Sequence, residues 1–420
     1  MNKMAIKISI GILGIYGLAA CNNGTMTNDT NNQPARAIPS KGSYGYDLDF
    51  MKQHKDSGLV ELSDQGGSAK ILISGAYQAR VMTSTSAGDS GNSYGWINYD
   101  LISSGKKKPQ FNAFGGEERF WLGPEGGQYS LYFKKGDSFN IKYWQVPAII
   151  DTLPWKIVSS TPSKAEFSAQ AALSNYAGTE FQINIDRTIE LLDRKSLESK
   201  LGTTLPAGVS SVAYQTTSSV TNAGGTAWEK QKGLLSIWLL GMLNPSPQTV
   251  VIIPFSPGKD SRSLITDDYF GKVPPDRLIV KDSVLYLTCD GKHRSKIGLS
   301  PAIAKSIVAS YDFEKNVLSL IYFQADKKGS YVNSKWEIQK EPFKGDAVNA
   351  YNDGPLADGT QLGPFYEIES SSPVKELKAG EAQTYSQVTC HLEGDYATLS
   401  RLAEQVLGVK LEEARVAIIR

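Results

Sequence analysis

The pattern of apolar and polar positions indicates β-strands along most of the chain. Residues Glu180–Ile185 alternate strictly between polar and apolar side chains, and strand-forming residues continue through Leu192. Successive side chains of a strand point to opposite faces, so this alternation predicts one buried and one solvated face. Further runs are rich in strand formers and are separated by turn residues: Ala69–Ile73, Gln128–Phe133, Val250–Phe255, Leu278–Leu287, Val317–Phe323, Pro364–Glu369 and Thr384–Leu392.

Helical patterns are few. The clearest is Asp395–Leu407, because its apolar residues fall on one stripe. Asp395 can cap the first turn of this helix, and Gly408 stands where the helix would end. Weaker patterns predict helices at Asp193–Leu201 and Pro301–Ser310.

The most apolar internal run is Leu234–Leu243. It is too short to cross a bilayer, so we predict a buried strand or core segment. Many strands at irregular spacing, together with few helices, favour a large sandwich of antiparallel sheets. No shift in composition marks a boundary, and we therefore predict a single β domain over residues 44–420 that includes the helix at 395–407.

The first twenty residues have the layout of a secretory signal, with two lysines followed by an apolar run. The run ends in Leu-Ala-Ala before Cys21, which resembles the lipobox of bacterial lipoproteins. This resemblance implies cleavage after residue 20 and lipid on Cys21, whereas an uncleaved anchor or a plain signal peptide is the alternative. Lipid at Cys21 would hold the protein on a membrane of the bacterial cell envelope, in the periplasm or at the outer-membrane surface. Residues 21–43 are rich in Asn and Thr, which predicts a flexible tether.

Charge and cysteine content narrow the possible partners. Without the two lysines of the signal, 42 of the 44 basic residues remain against 43 acidic ones. A nearly neutral chain has no global electrostatic reason to bind nucleic acid. Cys289 and Cys390 can form one disulfide outside the cytoplasm or remain as buried free thiols. The oligomeric state stays open.

Familiar catalytic and cofactor motifs are missing from the sequence. It contains no H-E-x-x-H, C-x-x-C, P-loop or G-x-G-x-x-G pattern, and we predict neither a cofactor nor a metal. The histidines His54, His293 and His391 stand far apart. Gly91–Gly95 matches G-x-S-x-G, but it lies in a polar loop rather than between a strand and a helix, so we predict no nucleophile there.

The stretch Asn349–Pro373 is the strongest candidate for a functional site. Its strand-like run places Glu367 and Glu369 on one face. Asn352 and Asp353 lie in the turn that precedes this run. Two carboxylates beside an Asn/Asp-rich turn are typical of a polar pocket wall, and a solvated sheet face is the alternative.

A second candidate is Asn112–Gly127, in which five glycines are interspersed with charged and aromatic residues. Glycine permits close approach of a ligand to the backbone, and Arg can bind hydroxyl or carboxylate oxygens with two donors. Tryptophan offers the apolar face that sugar sites combine with polar groups. A tight hairpin with locally paired charges is the alternative. The candidate ligand-binding residues here are Asn112, Glu117, Arg119, Trp121 and Glu125.

Two shorter stretches complete the candidates. In the cationic run 290–296, Arg294 or Lys296 can reach toward the carboxylates, or the run is a solvated turn. In the glycine-rich turn 222–228, Asn222 and Trp228 are candidate ligand contacts, or the turn is plain and its Trp belongs to the core.

The segments FGGEERFWLGPEGG, DGKHRSKIG, GPFYEIESSSP and LKAGE together resemble uncharacterised lipoproteins of Bacteroidetes-type bacteria. These in turn resemble the galactose mutarotase-like group, and the resemblance spans residues 45–410. It implies a β-supersandwich with a carbohydrate-sized cleft. In aldose epimerases the strand with the catalytic Glu is followed by Pro and a Leu-x-Pro-Gly-Glu turn, which makes Glu369 the best match to the base and Glu367 the second. Arg119 is similar to the substrate-contacting Arg of that fold.

The chain departs from the epimerase pattern at the general acid. Epimerases use a histidine from the middle of the chain to protonate the ring oxygen, and residues 170–250 contain none. We therefore expect a lipid-anchored protein that binds a carbohydrate-like small molecule or glycan. The alternatives are an aldose 1-epimerase or related carbohydrate-active enzyme with Glu369 as base, and a structural or assembly lipoprotein with a vestigial cleft.

Overall fold

Strands dominate the part of the chain that the computed structural model describes, residues 39–54 and 58–418. The predicted signal peptide, Cys21 and the tether up to residue 38 lie outside the described residues. The helices are α1 Tyr44–Gln53, α2 Tyr99–Ser104, α3 Arg194–Leu201, α4 Tyr396–Leu407 and α5 Leu411–Ile418. The first strands are β1 Leu59–Ser63, β2 Lys70–Ser74, β3 Arg80–Thr85, β4 Arg119–Gly123, β5 Lys156–Ser160, β6 Lys164–Ser174, β7 Glu180–Leu191, β8 Ser210–Asn222 and β9 Ser236–Leu240. The remaining strands are β10 Thr249–Pro254, β11 Ile265–Thr266, β12 Leu278–Val280, β13 Val284–Thr288, β14 Ser295–Leu299, β15 Ile307–Asp312, β16 Val317–Phe323, β17 Val348–Asn352, β18 Tyr366–Ser371 and β19 Ala382–Glu393.

The strands form three antiparallel sheets. The large sheet has ten strands in the order β12-β13-β10-β15-β16-β19-β8-β7-β6-β5. The small sheet has six strands in the order β11-β14-β17-β18-β9-β4, and β1-β2-β3 form a separate sheet of three. The predicted mainly β architecture of antiparallel sheets is confirmed. Among the described residues, no helix combines the length and apolar character needed to cross a membrane.

The main hydrophobic core lies between the large and small sheets. Phe181, Ile183 and Ile185 of β7 are buried in it, while the polar residues between them face outward, as the alternation predicted. Ile237 of β9 and Ile368 of β18 contribute from the small sheet. Two facing sheets each bury one side, so this core defines a sandwich.

Helices cover the other face of the large sheet. Leu399 and Leu402 of α4 pack with Leu318 and Cys390 of that sheet in a second apolar cluster. The predicted helix is confirmed, with Asp395 accepting a hydrogen bond from the Thr398 amide at its N-terminus. Helices α1, α2 and α5 were not predicted. The α1 residues are buried against β2 and β3, and this packing rather than a strong amphipathic pattern stabilises the helix.

The prediction of a strand at Gln128–Phe133 is wrong. The segment forms turns, in which the amide of Ser130 donates to the carbonyl of Gly127 and its hydroxyl accepts from the amide of Tyr132. Hydroxyl groups of Ser commonly compete with sheet pairing in this way. Tyr132 and Phe133 pack into the core from this loop.

The prediction of a helix at Pro301–Ser310 is also wrong. Only a turn follows Pro301, and residues from Ile307 onward form β15. This strand pairs with β10 on one side and with β16 on the other. Two neighbouring strands and the β-branched pair Ile307 and Val308 outweigh the weak helical pattern. Cys289 and Cys390 are buried free thiols.

A buried ion pair connects the two sheets. Arg187 occupies an inward position of β7, where its Nη2 lies 2.7 Å from Oε1 of Glu118, and both side chains are almost completely buried. The second oxygen of Glu118 accepts hydrogen bonds from Gln387 at 2.7 Å and from Thr389 at 3.1 Å. Arg187 also donates to the hydroxyl of Ser218 at 2.9 Å. Every charge in this group is compensated, which is the condition for burying it.

We expect Glu118→Gln to lower the free energy of unfolding by about 3–5 kcal/mol, because it leaves the buried Arg187 charge uncompensated. Urea denaturation followed by circular dichroism measures the change. The matched control is Glu166→Gln, which breaks an exposed pair with Lys164 and should leave the stability almost unchanged. Equal effects of the two substitutions would show that the buried pair does not support the sandwich.

Candidate functional site

The candidate site occupies the face of the small sheet that points away from the large one. Tyr366 and Ser370 of β18 point toward the large sheet, where they hydrogen-bond Ser310 at 2.9 Å and Gln387 at 2.7 Å. Side chains alternate along a strand, so Glu367 and Glu369 project from the opposite face. This is the shared face that the sequence predicted for the two carboxylates.

Strand register adds the other charged residues to this face. Leu240 of β9 pairs with Arg119 on one side and with Glu369 on the other. Tyr351 of β17 similarly pairs with Glu367 and with Lys296 of β14. Directly paired residues share a face of the sheet. Side chains that are distant in sequence therefore meet on one surface.

Two ion pairs lie side by side on this surface. Nη2 of Arg119 is 2.5 Å from Oε1 of Glu367. Nζ of Lys296 is 3.0 Å from both carboxylate oxygens of Glu369, although only Oε2 accepts a hydrogen bond from it. The indole N–H of Trp238 donates to the same Oε2 at 3.0 Å. Positive and negative groups alternate here, so the surface offers both donors and acceptors.

Aromatic rings accompany the charges. The guanidinium of Arg119 lies 5.0 Å from the ring centre of Trp121, and Nζ of Lys296 lies 5.0 Å from that of Trp238. The two indoles meet edge to face at 5.6 Å. Both distances from cation to ring fall within the range of cation–π attraction. The rings thus stabilise the cations and present apolar faces beside them.

Loops above this face enclose a cleft with two connected lobes. One lobe has a volume of about 550 Å³ and the other about 520 Å³. Glu125, Trp238, Arg294, Lys296 and Trp336 line both lobes. Clefts of this size and mixed polarity are typical of small-molecule sites.

Glu125 is one of two cleft glutamates, with Glu367, whose pKa is strongly raised. It follows β4 in a loop and is half-buried at the wall shared by both lobes. Burial raises the pKa of Glu125 to about 7, and the negative charge of Glu369 adds to this, whereas Lys296 opposes it. A carboxyl with such a pKa exchanges protons near neutral pH.

Electrostatic coupling extends to the ion pairs. Burial raises the pKa of Glu367, and Arg119 acts against it. Burial alone would lower the pKa of Lys296, but Glu369 and Glu125 outweigh it, so the pKa is raised and the amine stays charged. The cleft therefore contains a charged lysine next to two glutamates, Glu125 and Glu367, whose pKa burial raises to about 7.

Arg294 and Asp353 form the wall opposite Trp121. The hydroxyl of Tyr351 donates to Oδ1 of Asp353 at 2.5 Å and accepts from Nε of Arg294 at 3.3 Å. The guanidinium of Arg294 also lies 3.8 Å from the ring centre of Phe270. These contacts hold both charged residues at the cleft.

Two residues that were predicted to contact the ligand, Asn112 and Asn352, instead hold the backbone next to the cleft. Asn112 is fully buried and bonds the amide and carbonyl of Lys108, which fixes the loop that carries cleft residues 108–111. The side chain of Asn352 accepts from the amide of Gly291 at 2.8 Å and donates to the carbonyl of His293 at 2.9 Å. Asn352 thus holds the turn that leads into Lys296.

Three predicted residues are placed elsewhere. Glu117 points into the sandwich, where its Oε1 is 2.9 Å from Nε2 of His391. The amides of residues 117 and 118 both donate to carbonyls of β3, and this interrupts the alternation of side chains between the two faces. Asn222 bonds carbonyls of its own turn and of Leu377. Trp228 packs on Phe181 in the core. For Asn222 and Trp228, the alternative of a plain turn with a core tryptophan is therefore the correct one.

No histidine that the structure describes lines the cleft. The second nitrogen of the buried His391 bonds the hydroxyl of Ser319 at 2.7 Å, and the ring lies inside the sandwich, on the side of the small sheet opposite to Glu369. His293 is absent from the lining of both lobes, and its carbonyl accepts from Asn352. Within residues 39–54 and 58–418, no group of three or more His, Cys, Asp or Glu side chains is arranged to hold a metal ion.

Sequence reasoning missed most of the aromatic lining. Trp238 lay inside the apolar run Leu234–Leu243, which showed no alternation because β9 is buried on both faces. Trp144 and Trp336 come from loops and face each other at 6.0 Å. Loop residues carry no periodic signal, so only the tertiary structure identifies them.

Similar structures span most of the chain at low identity. A protein from Escherichia coli K12 that carries a provisional assignment as an aldose 1-epimerase is 12% identical, covers 80% of this chain and 99% of its own, and has a TM-score of 0.47. The Slr1438 protein of Synechocystis is 11% identical over 80% of this chain and 96% of its own, with a TM-score of 0.49. A galactose mutarotase-like protein from Lactobacillus casei is 11% identical over 80% of this chain and 100% of its own, with a TM-score of 0.45.

No curated protein sequence matches the chain. A family model does match it, over residues 42–418, which include every residue of the cleft. The chain therefore belongs to the family of unknown function DUF6786.

Proposed function

We propose that the protein binds a carbohydrate-like ligand in the cleft of the small sheet. The observation that carries this proposal is the combination of two alternating ion pairs with the indole faces of Trp121 and Trp238 on one surface. Sugars have apolar C–H faces, which stack on aromatic rings, and hydroxyl groups, which need donors and acceptors at the same time. Such mixed sites are typical of small polar ligands.

The charges are arranged to meet hydroxyl groups rather than an ionic ligand. Arg119 and Glu367 neutralise each other, as do Lys296 and Glu369. An anionic or cationic ligand would have to break one of these pairs inside the cleft, which is costly. A neutral polyol can instead accept from the cations and donate to the carboxylates without separating them.

We expect Glu369→Gln to weaken saccharide binding about 10- to 100-fold, because it removes the ion pair that holds Lys296 at the wall of both lobes. A glycan array selects the saccharide, and isothermal calorimetry measures the affinity. The amide keeps the volume of the side chain and can still accept from Trp238, so circular dichroism should show an unchanged fold.

The matched control is Glu180→Gln, an exposed glutamate on β7 of the large sheet, which should bind as the wild type does. Absence of saccharide binding by the intact protein on the array and in calorimetry would refute the proposal. Equal binding by the two variants would place the ligand outside the cleft.

A second candidate function is acid–base catalysis on the bound sugar, and Glu125 favours it. Exchange of anomers requires a base to take the anomeric hydroxyl proton and an acid to protonate the ring oxygen. In this scheme Glu369 accepts the first proton while Glu125 donates the second, the bond from the anomeric carbon to the ring oxygen breaks, and the carbonyl forms. Reversal on the other face closes the ring. Glu125 would then take the part that a histidine plays in the epimerases.

We expect catalysed anomer exchange of free aldoses to decline as the pH rises through about 7, because Glu125 loses the proton that it donates. Polarimetry and NMR exchange measure the rate. Glu125→Gln should abolish catalysis and retain saccharide binding within a few-fold. Binding without any catalysed exchange at pH 6 would reject this second function and leave the first intact.

We further propose that lipid on Cys21 anchors the protein to a membrane of the cell envelope, as the sequence pattern before this residue suggests. Expressed in a bacterial host, the full chain should sediment with membranes, and Cys21→Ser should release it into the soluble fraction. Asn23→Ser is the control and should remain with the membranes. Intact mass of the purified protein reports the acyl chains directly, and an unmodified Cys21 would refute the anchor.

A further inference from the structure

Exposed apolar side chains gather at the mouth of the cleft. Among the described residues, the large apolar side chains that are strongly exposed include Ile141 at 57%, Phe270 at 45%, Leu356 at 44% and Leu362 at 43%. Ile141, Phe270 and Leu356 line both lobes, and Leu362 lines one of them. Single exposed apolar residues are ordinary on a protein surface, but a group of them around a cavity marks a contact site.

The backbone holds this apolar rim in place. The amide of Leu356 donates to the carbonyl of Thr360 at 2.8 Å, which closes a turn. The side chain of Gln361 then ties the loop to the carbonyl of Gly291 at 2.9 Å, next to Leu362. Because the leucines are anchored on both sides, they face the cleft as a fixed surface rather than as a free loop.

The other rim residues are supported in a similar way. The carbonyl of Ile141 accepts from the side chain of Gln110 at 2.8 Å. Phe270 carries the guanidinium of Arg294 on one face and meets Tyr351 edge to face at 5.9 Å. These contacts connect the rim directly to the charged wall of the cleft.

A ligand that fills the cleft therefore contacts two kinds of surface, a charged and aromatic one inside and an apolar one at the mouth. Its inner part contacts the ion pairs and indoles, and its outer part contacts exposed Ile, Phe and Leu side chains. A free monosaccharide would contact the ion pairs and indoles, which form the floor of the cleft, but it would leave the apolar rim exposed to water. The apolar area at the rim contributes to binding only if the ligand covers it.

We propose that the ligand is an amphipathic glycoside, with its sugar on the charged floor and an alkyl or aryl aglycone against the rim of Ile141, Phe270, Leu356 and Leu362. This inference rests on the proposed sugar-binding function and adds the chemical class of the aglycone.

The experiment compares methyl, butyl and hexyl glycosides of glucose, galactose and mannose, each below its micelle concentration, by calorimetry with the full chain. Affinity for the preferred sugar should rise about fourfold for each added methylene that the rim covers. The double variant Leu356→Ser and Leu362→Ser should bind the hexyl glycoside at least about tenfold more weakly and the methyl glycoside within about twofold of wild type.

Leu153→Ser is the matched control, because Leu153 is 48% exposed and lines a different concavity. It should leave both affinities unchanged. A methyl glycoside that binds as tightly as the hexyl glycoside would overturn this inference and leave the proposed function standing. If neither these glycosides nor any saccharide on the array binds, both are wrong.

Two further outcomes separate the sugar from the apolar group. Equal affinity for a hexyl oligoethylene glycol would show that the rim binds any apolar chain, which overturns the inference. Binding of wild type to neutral phosphatidylcholine vesicles, lost in the double leucine variant and without discrimination among glycosides, would identify the rim as a membrane contact and overturn it too.

Discussion

The buried pair of Glu118 and Arg187 is the interaction on which the sandwich depends. It crosses the main core, and its hydrogen bonds reach three strands of the large sheet through Arg187, Ser218 and Gln387. An apolar core alone tolerates sliding of one sheet over the other, whereas a paired charge requires a single position. The pair thus specifies how the small sheet sits, and with it the position of the neighbouring residue Arg119.

Because side chains alternate along each strand, residues that stabilise the core and residues of the candidate site lie on opposite faces of the small sheet. Glu118 points inward to the core pair, and Arg119 points outward to the cleft. The same division recurs on β18, where Tyr366 and Ser370 bond the large sheet while Glu367 and Glu369 project from the opposite face, with Glu367 lining the cleft and Glu369 paired beside it with Lys296. One set of strands therefore supports both the core and the candidate site, and a shift of register by one residue would destroy both.

Charges in the cleft are paired because they are shielded from water. Arg119 and Glu369 are as buried as core residues, at 2% and 1% exposure. Unpaired, each would be expensive to bury, and in alternating order they form a neutral but strongly polar floor. Burial raises the pKa of Glu125 to about 7, and it also raises the pKa of Glu367 in spite of the neighbouring Arg119. The polar floor, the indole rings and the apolar rim of the cleft together favour a neutral ligand that has both hydroxyl groups and an apolar part.

The sequence by itself determined the mainly β architecture, the capped helix α4 and the shared face of Glu367 and Glu369, because period and capping act over a few neighbouring residues. It also identified Arg119 and Lys296 as partners, although only strand register brought them to those carboxylates. Tertiary structure decided what local pattern cannot encode. It turned Glu117 inward through an irregular backbone, replaced the expected helix at 301–310 with a paired strand, and supplied tryptophans from loops. Contacts between distant segments have no signature in a local pattern, so these features required the fold.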